Sequence, residues 1–195
     1  MVKFLRQGSA AIALAVVLVS AVPALAATCQ NVTFPDSVKA GNAELLLNGL
    51  GLRKATMFNV KVYVAGLYLP QKSSDAGQIL AANRPWRLEL RFVRDVGVSG
   101  IRNAWQEGFE NSAPDKLATL QPRIDTLKAA MTDFKTGQSL VFANDPATGV
   151  TVAANGAPGQ PIAGADFATG LLAIWLGPKP PNADLKTGVL GGKCE

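Results

Sequence analysis

Arg53 and Tyr63 are the two side chains in this 195-residue sequence whose types and spacing point to chemistry. They lie in the stretch LRKATMFNVKVYVAGLY, residues 52–68, whose second half alternates. Phe58, Val60, Val62 and Val64 fall on one side of an expected strand, with Asn59, Lys61 and Tyr63 on the other. Arg53 shares the parity of Tyr63, a relation that a bulge or turn within residues 55–57 would flip. A guanidinium is a forked, permanently charged donor that matches a carboxylate, and a phenol adds a neutral donor. From the residues alone a second account stands beside this one: Arg53 solvated at a strand end, and Tyr63 packed on a sheet with its hydroxyl in water.

Other chemistry is excluded by composition. The sequence has no histidine, which removes Ser-His-Asp and Cys-His catalysis, histidine-bound metals and imidazole proton shuttles. Two cysteines are too few and too far apart for a zinc or redox motif. Gly49-Leu50-Gly51 is a bare GxG without the rest of a dinucleotide or phosphate fingerprint. Glu107 and Glu110 share an expected helix and read as a solvated face. No metal and no cofactor are expected. The basic residues are scattered rather than clustered, so no nucleic-acid partner is expected either.

The first 26 residues read as a secretory signal peptide: Lys3 and Arg6, a small-apolar run from Ala10 to Val19, then Pro23 and Ala24-Leu25-Ala26. Cleavage near Ala26 leaves residues 27–195 as one domain, periplasmic or secreted, with no membrane span once the leader is removed. The leader carries two of the five net positive charges. Both cysteines, Cys29 and Cys194, lie in the mature chain, and an exported protein's cysteines usually pair. Because chain termini often lie close together, a Cys29–Cys194 disulfide is favoured over two free or intermolecular thiols.

The elements that must position Arg53 and Tyr63 follow from periodicity. Residues 31–38, 43–53 and the alternating stretch read as strands, with Gly49, Gly51 and Gly66 as sites for bulges or tight bends. SSDAGQILAAN is a short helix capped by Ser73 or Ser74. PWRLELRFVRDV is a half-buried strand with Trp86, Leu88, Leu90 and Phe92 inward and Arg87, Glu89 and Arg91 outward. From Ser99 the period becomes helical, with Ile101, Ala104, Trp105, Gly108 and Phe109 on one face. A second helix through Leu120, Ile124 and Leu127 opens with a Ser112-to-Asp115 capping box and is kinked or restarted at Pro122. A hairpin turning at NDPATG, a helix burying Phe167, Leu171, Ile174 and Trp175, and a short helix from about Asn182 complete the order. Trp105 and Trp175 read as core anchors rather than ligand platforms. Strands, helices, a hairpin, then helices again mean α+β, with helices laid on an antiparallel sheet.

The segments NGLGLRKATMFNVKVYVAGLYLP, RLELRFVRDVGVSGIRNAWQEGFENS and GADFATGLLAIWLGPKPPNADLKTGVLG resemble the chalcone isomerase-like superfamily, in its bacterial exported branch. The resemblance implies an open-faced β-sandwich, a long antiparallel sheet covered on one face by a helical layer. The superfamily holds enzymes that close chalcones to flavanones, non-catalytic helpers and fatty-acid-binding proteins. The enzyme uses an arginine and a threonine on strands, then a tyrosine, lysine and asparagine on a helix and a late-helix hydroxyl. Those roles fall here on Arg53, Tyr63, Ala104, Glu107, Asn111 and Ile174. Arginine and asparagine survive; the proton-handling groups do not.

The arginine–tyrosine pair resembles instead the fatty-acid-binding members, in which those side chains hold the ligand carboxylate. The expectation is a non-catalytic protein binding a fatty acid or similar amphipathic acid through Arg53, Tyr63 and Asn111. Two alternatives remain: an isomerase or lyase acting on an enone, with Arg53 as electrophile, and an envelope assembly partner whose protein contact is unknown.

Overall fold

The computed structural model describes residues 26–41 and 43–195. Residues 1–25, nearly all of the expected leader, lie outside the described residues. Nine strands are described: β1 (Ala26–Cys29), β2 (Val32–Pro35), β3 (Ser37–Ala40), β4 (Ala43–Ala55), β5 (Val60–Leu69), β6 (Trp86–Phe92), β7 (Ser139–Asp145), β8 (Gly149–Ala154) and β9 (Ala157–Pro158). The helices are α1 (Ala76–Ala81), α2 (Val98–Ser112), α3 (Leu117–Ala129), α4 (Ala165–Leu176) and α5 (Ala183–Val189). Strands β3 to β9 pair in chain order as one antiparallel meander, while β1 and β2 form a separate hairpin. This is the expected α+β arrangement.

Alternation along the central strands sorts side chains between two cores. Ala65, Leu67 and Leu69 of β5, with Leu88, Leu90 and Phe92 of β6, meet the helices. Val64 and Tyr68, on the opposite parity, join Leu45, Leu47 and Leu52 beneath Phe34 of the hairpin. The expectation of helices over one face holds, but the other face is not open across β4–β6. The β1–β2 hairpin covers it, and the Cys29–Cys194 disulfide ties that hairpin to the C-terminus with Cα atoms 6.0 Å apart.

Glu89 shows what that cover changes. Its strand parity reads as outward, yet it is only 4% exposed. It opposes Gly66, against which the Phe34 ring packs, and it accepts from Arg87 at 2.8 Å and Arg91 at 2.7 Å. The glycines also differ from expectation. The ladder shift falls between Leu47 and Gly49, at Asn48, whose side chain is bonded to Ser73 and Val189. Gly49 and Gly51 serve close approach instead: the backbone of α5 occupies the space that their Cβ atoms would fill.

Two local expectations are corrected and a third is narrowed. The cap of α1 is Asp75, which accepts the Gln78 N–H at 3.0 Å; Ser73 supports it by accepting the Asp75 N–H. Asp75 sits directly before the first helical residue, where a carboxylate reaches the third N–H. Ser112 opens no helix: it ends α2 and donates to the Gly170 carbonyl at 2.9 Å, and a 3-10 turn at Pro114–Lys116 leads into α3. Pro122 is accommodated inside α3 without starting a new helix.

Candidate functional site

Arg53 and Tyr63 are direct register partners across β4 and β5. Opposed residues of an antiparallel pair point to the same face, so both side chains project to the helical side. The connection is a turn at Thr56–Asn59 in which Thr56 and Asn59 adopt φ of 62° and 51°. Phe58, expected inside the strand, belongs to that turn and is 79% exposed. A register shift after Arg53 leaves Val62 without a strand partner; its carbonyl accepts from Val93 at 3.0 Å. As a result Val62 and Tyr63 both border the same cavity, although simple alternation places them on opposite sides.

That cavity measures about 520 Å³, within the ~300–1,000 Å³ usual for small-molecule sites. Its apolar wall comes from Leu90 and Phe92 of β6, Ile101 and Trp105 of α2, and Ile174 and Trp175 of α4. Trp105 and Trp175 are buried core anchors, as expected, yet they also border the cavity. Its polar lining includes Arg53, Tyr63, Asn111, Arg94 and Lys179, together with the carboxylates of Asp95 and Glu107. Ala104, Glu107 and Ile174 border it too, so all six positions assigned by resemblance surround one space.

Arg53 and Tyr63 are each held by the fold. One Arg53 nitrogen, Nη1, donates to the Pro181 carbonyl at 3.0 Å and to the Lys54 carbonyl. The strap that supplies Pro181 is fixed by Asn182, which donates to Leu52 O and accepts the Lys54 N–H, both at 3.2 Å. Nε and Nη2 of Arg53 have no protein acceptor among the described residues. The Trp175 indole N–H donates to the Tyr63 hydroxyl oxygen at 3.0 Å. That bond takes up an acceptor position of the phenol and leaves its O–H free to donate.

Burial pushes the Tyr63 phenol up to about 12, partly opposed by the Trp175 bond and the Arg53 charge. The hydroxyl therefore stays protonated at neutral pH, a donor and not a general base. Chemically the rim can bind and polarise an anion or a carbonyl oxygen. Among the described residues, no three His, Cys, Asp or Glu side chains cluster to hold a metal.

A family model described as chalcone isomerase-like matches residues 26–191. The chain belongs to the chalcone isomerase-like family. No curated protein sequence matches it. Among solved structures, a fatty-acid binding protein of Arabidopsis thaliana shares the fold with a TM-score of 0.68. That likeness covers 86% of this chain and 96% of the plant chain at 18% identity. This chalcone isomerase-like chain thus shares its sheet and helical layer with a plant protein of little sequence similarity.

Trp175 as the partner of Tyr63, and the strap that holds Arg53, were not read from the sequence. The one available signal was that a buried indole N–H usually finds an acceptor. Nothing in the spacing named which acceptor, 112 residues away.

Proposed function

We propose that this protein binds a fatty acid or similar amphipathic carboxylate, non-catalytically, with the head held by Arg53 and Tyr63 and the tail along the apolar wall. The observation that carries the reading is the pairing of two residues with unmatched donors: Nε and Nη2 of Arg53, and a Tyr63 O–H directed by the Trp175 indole. No carboxylate among the described residues engages them, which leaves the place of an acceptor to a ligand. Asn111 lies at the same rim and adds a neutral amide. Each buried methylene contributes about 0.8 kcal/mol, so the tail supplies most of the affinity and the head most of the selectivity. The fatty-acid binding function of the Arabidopsis thaliana protein supports this reading through a shared fold.

We place the protein in the periplasm or outside the cell, with residues 1–26 as a cleaved leader and 27–195 as the working domain. The charged start and apolar run support this, as does the disulfide between Cys29 and Cys194.

Native mass spectrometry of the protein recovered from a periplasm, followed by organic extraction, tests both points. The expected result is a chain starting near Ala27 that carries a stoichiometric acid. Arg53→Ala loses that acid, with affinity for added fatty acid reduced by about 2 kcal/mol, roughly thirtyfold. An empty protein that ignores added acids refutes the binding reading and turns attention to an envelope partner. The enone isomerase is the second reading, because all six superfamily positions border the cavity. Chalcone cyclisation that disappears in Arg53→Ala would establish it in place of the first.

A further inference from the structure

Met57 and Phe58, 87% and 79% exposed, stand side by side at the tip of the β4–β5 hairpin. Leu46, at 39%, is the other large hydrophobic that is exposed among the described residues. The turn holds the pair outward. The Asn59 N–H donates to the Thr56 carbonyl at 3.2 Å, the Phe58 N–H donates to Thr56 Oγ1 at 3.3 Å, and both turn ends have positive φ. Two adjacent apolar side chains on a fixed apex are a feature that asks for a partner.

The apex adjoins the cavity. Ala55 borders the cavity, and Met57 follows two residues later, at most about 7 Å along an extended chain. Exposed cations ring the same end of the molecule. Lys61 is next to Val62, Arg94 lies two residues beyond Phe92, whose register partner is Tyr63, and Lys179 sits in the strap over Arg53. None of the three has a carboxylate partner among the described residues; Lys61 donates to the Gln30 side-chain oxygen at 2.6 Å. Of the four acids nearby, two are paired with lysines, Asp95 with Lys135 at 3.0 Å and Asp184 with Lys54 at 3.4 Å, while Asp133, which accepts the Val98 N–H at 2.7 Å, and Glu107 keep their charge.

We propose that the Met57–Phe58 tip inserts into the interface of an anionic lipid bilayer and brings the cavity mouth to the membrane surface. The apolar pair enters among the headgroups while Lys61, Arg94 and Lys179 meet lipid phosphates. A bilayer fits this apex better than a protein does, since a stable protein interface buries roughly 1,000 Å² or more and a two-residue apex offers far less. Passage of an acid between membrane and cavity rests on the binding reading above; the docking itself does not.

Flotation of the ligand-free mature protein with vesicles tests the docking without reference to any acid. Wild type is expected to float with vesicles of equal parts phosphatidylglycerol and phosphatidylcholine, and less with phosphatidylcholine alone. Met57→Ser with Phe58→Ser should lower partitioning about tenfold while leaving affinity for dissolved fatty acid and the thermal midpoint unchanged. Lys61→Gln, Arg94→Gln and Lys179→Gln together should abolish the preference for anionic vesicles. Absence of flotation, unchanged flotation of the tip variant, or equal binding to neutral vesicles each overturns the proposal. So does a tip variant whose only change is lost self-association in sedimentation, which would make the apex a contact between copies of this chain.

Discussion

The two faces of the β4–β6 sheet each hold arginine beside tyrosine, and they resolve the charge in opposite ways. Under the β1–β2 hairpin, Arg87 and Arg91 flank Glu89, so the carboxylate is supplied by the chain. The Arg91 guanidinium also lies over the Phe34 ring, 5.3 Å from its centroid. On the helical face, Arg53 stands beside Tyr63 with carbonyls for partners and no carboxylate among the described residues. One face is an ion cluster in which a single carboxylate of the chain serves two arginines beneath a cover, with Arg87 Nε and the Tyr68 hydroxyl left without partners among the described residues. The other is the same kind of donor set left incomplete at the rim of a cavity. The difference between the faces is thus whether the chain supplies a carboxylate to its arginines or only carbonyl partners.

The largest expected effect breaks the closed side. Glu89→Gln leaves Arg87 and Arg91, 26% and 38% exposed, without their carboxylate, and should destabilise the protein by about 2 kcal/mol in urea unfolding. Fatty-acid affinity should be unchanged, because Glu89 belongs to the opposite face. A loss of affinity as large as that of Arg53→Ala would erase the distinction between the faces.

A smaller effect sharpens the open side. Trp175→Phe keeps an aromatic ring in the core but removes the indole donor that directs the Tyr63 hydroxyl. Affinity for a fatty acid should fall by about 1 kcal/mol, roughly fivefold, in calorimetric titration. Since that bond holds the phenol down against burial, the Tyr63 titration should move further up in the variant.

The gentlest test reads both faces at once. The chain has only two tyrosines, Tyr63 on the open side and Tyr68 on the closed side. Both phenols are pushed up, Tyr63 to about 12 and Tyr68 by burial first and the Glu89 carboxylate second. Ultraviolet titration of the native protein should therefore show no phenolate signal at pH 10, where free tyrosine is half ionised. Stability contributed by the neutral phenols is complete below pH 10 and is lost as pH rises toward about 12, because the unfolded chain ionises first. A native phenolate signal at pH 10 would mean that one tyrosine is far better solvated than its surroundings imply.

Much of the fold could be read from local pattern. Alternation placed β5 and β6, the three- and four-residue spacing placed α2 and α4, and the NDPATG turn placed β7 and β8. Periodicity works there because it records which side chains share a face of one element. It does not record what covers that face. Glu89 therefore read as solvated, since nothing local reveals that Phe34, more than fifty residues earlier, lies across it. Val62 read as opposite to Tyr63, since a register shift belongs to a pair of strands and not to either alone.

For the site, the donor types are legible in the residues alone: an arginine and a tyrosine of matching parity, in a chain without histidine and rich in apolar residues. Residue identity decides which protons and charges are available, and that needs no fold. Tertiary structure alone decided their state. It set Trp175 against the Tyr63 oxygen, drew the Pro181 carbonyl to one nitrogen of Arg53, and placed both residues in the lining of one cavity. Those partners come from segments 112 and 128 residues away. Desolvation and hydrogen bonding depend on distance in space, which only the packed sheet and helices define.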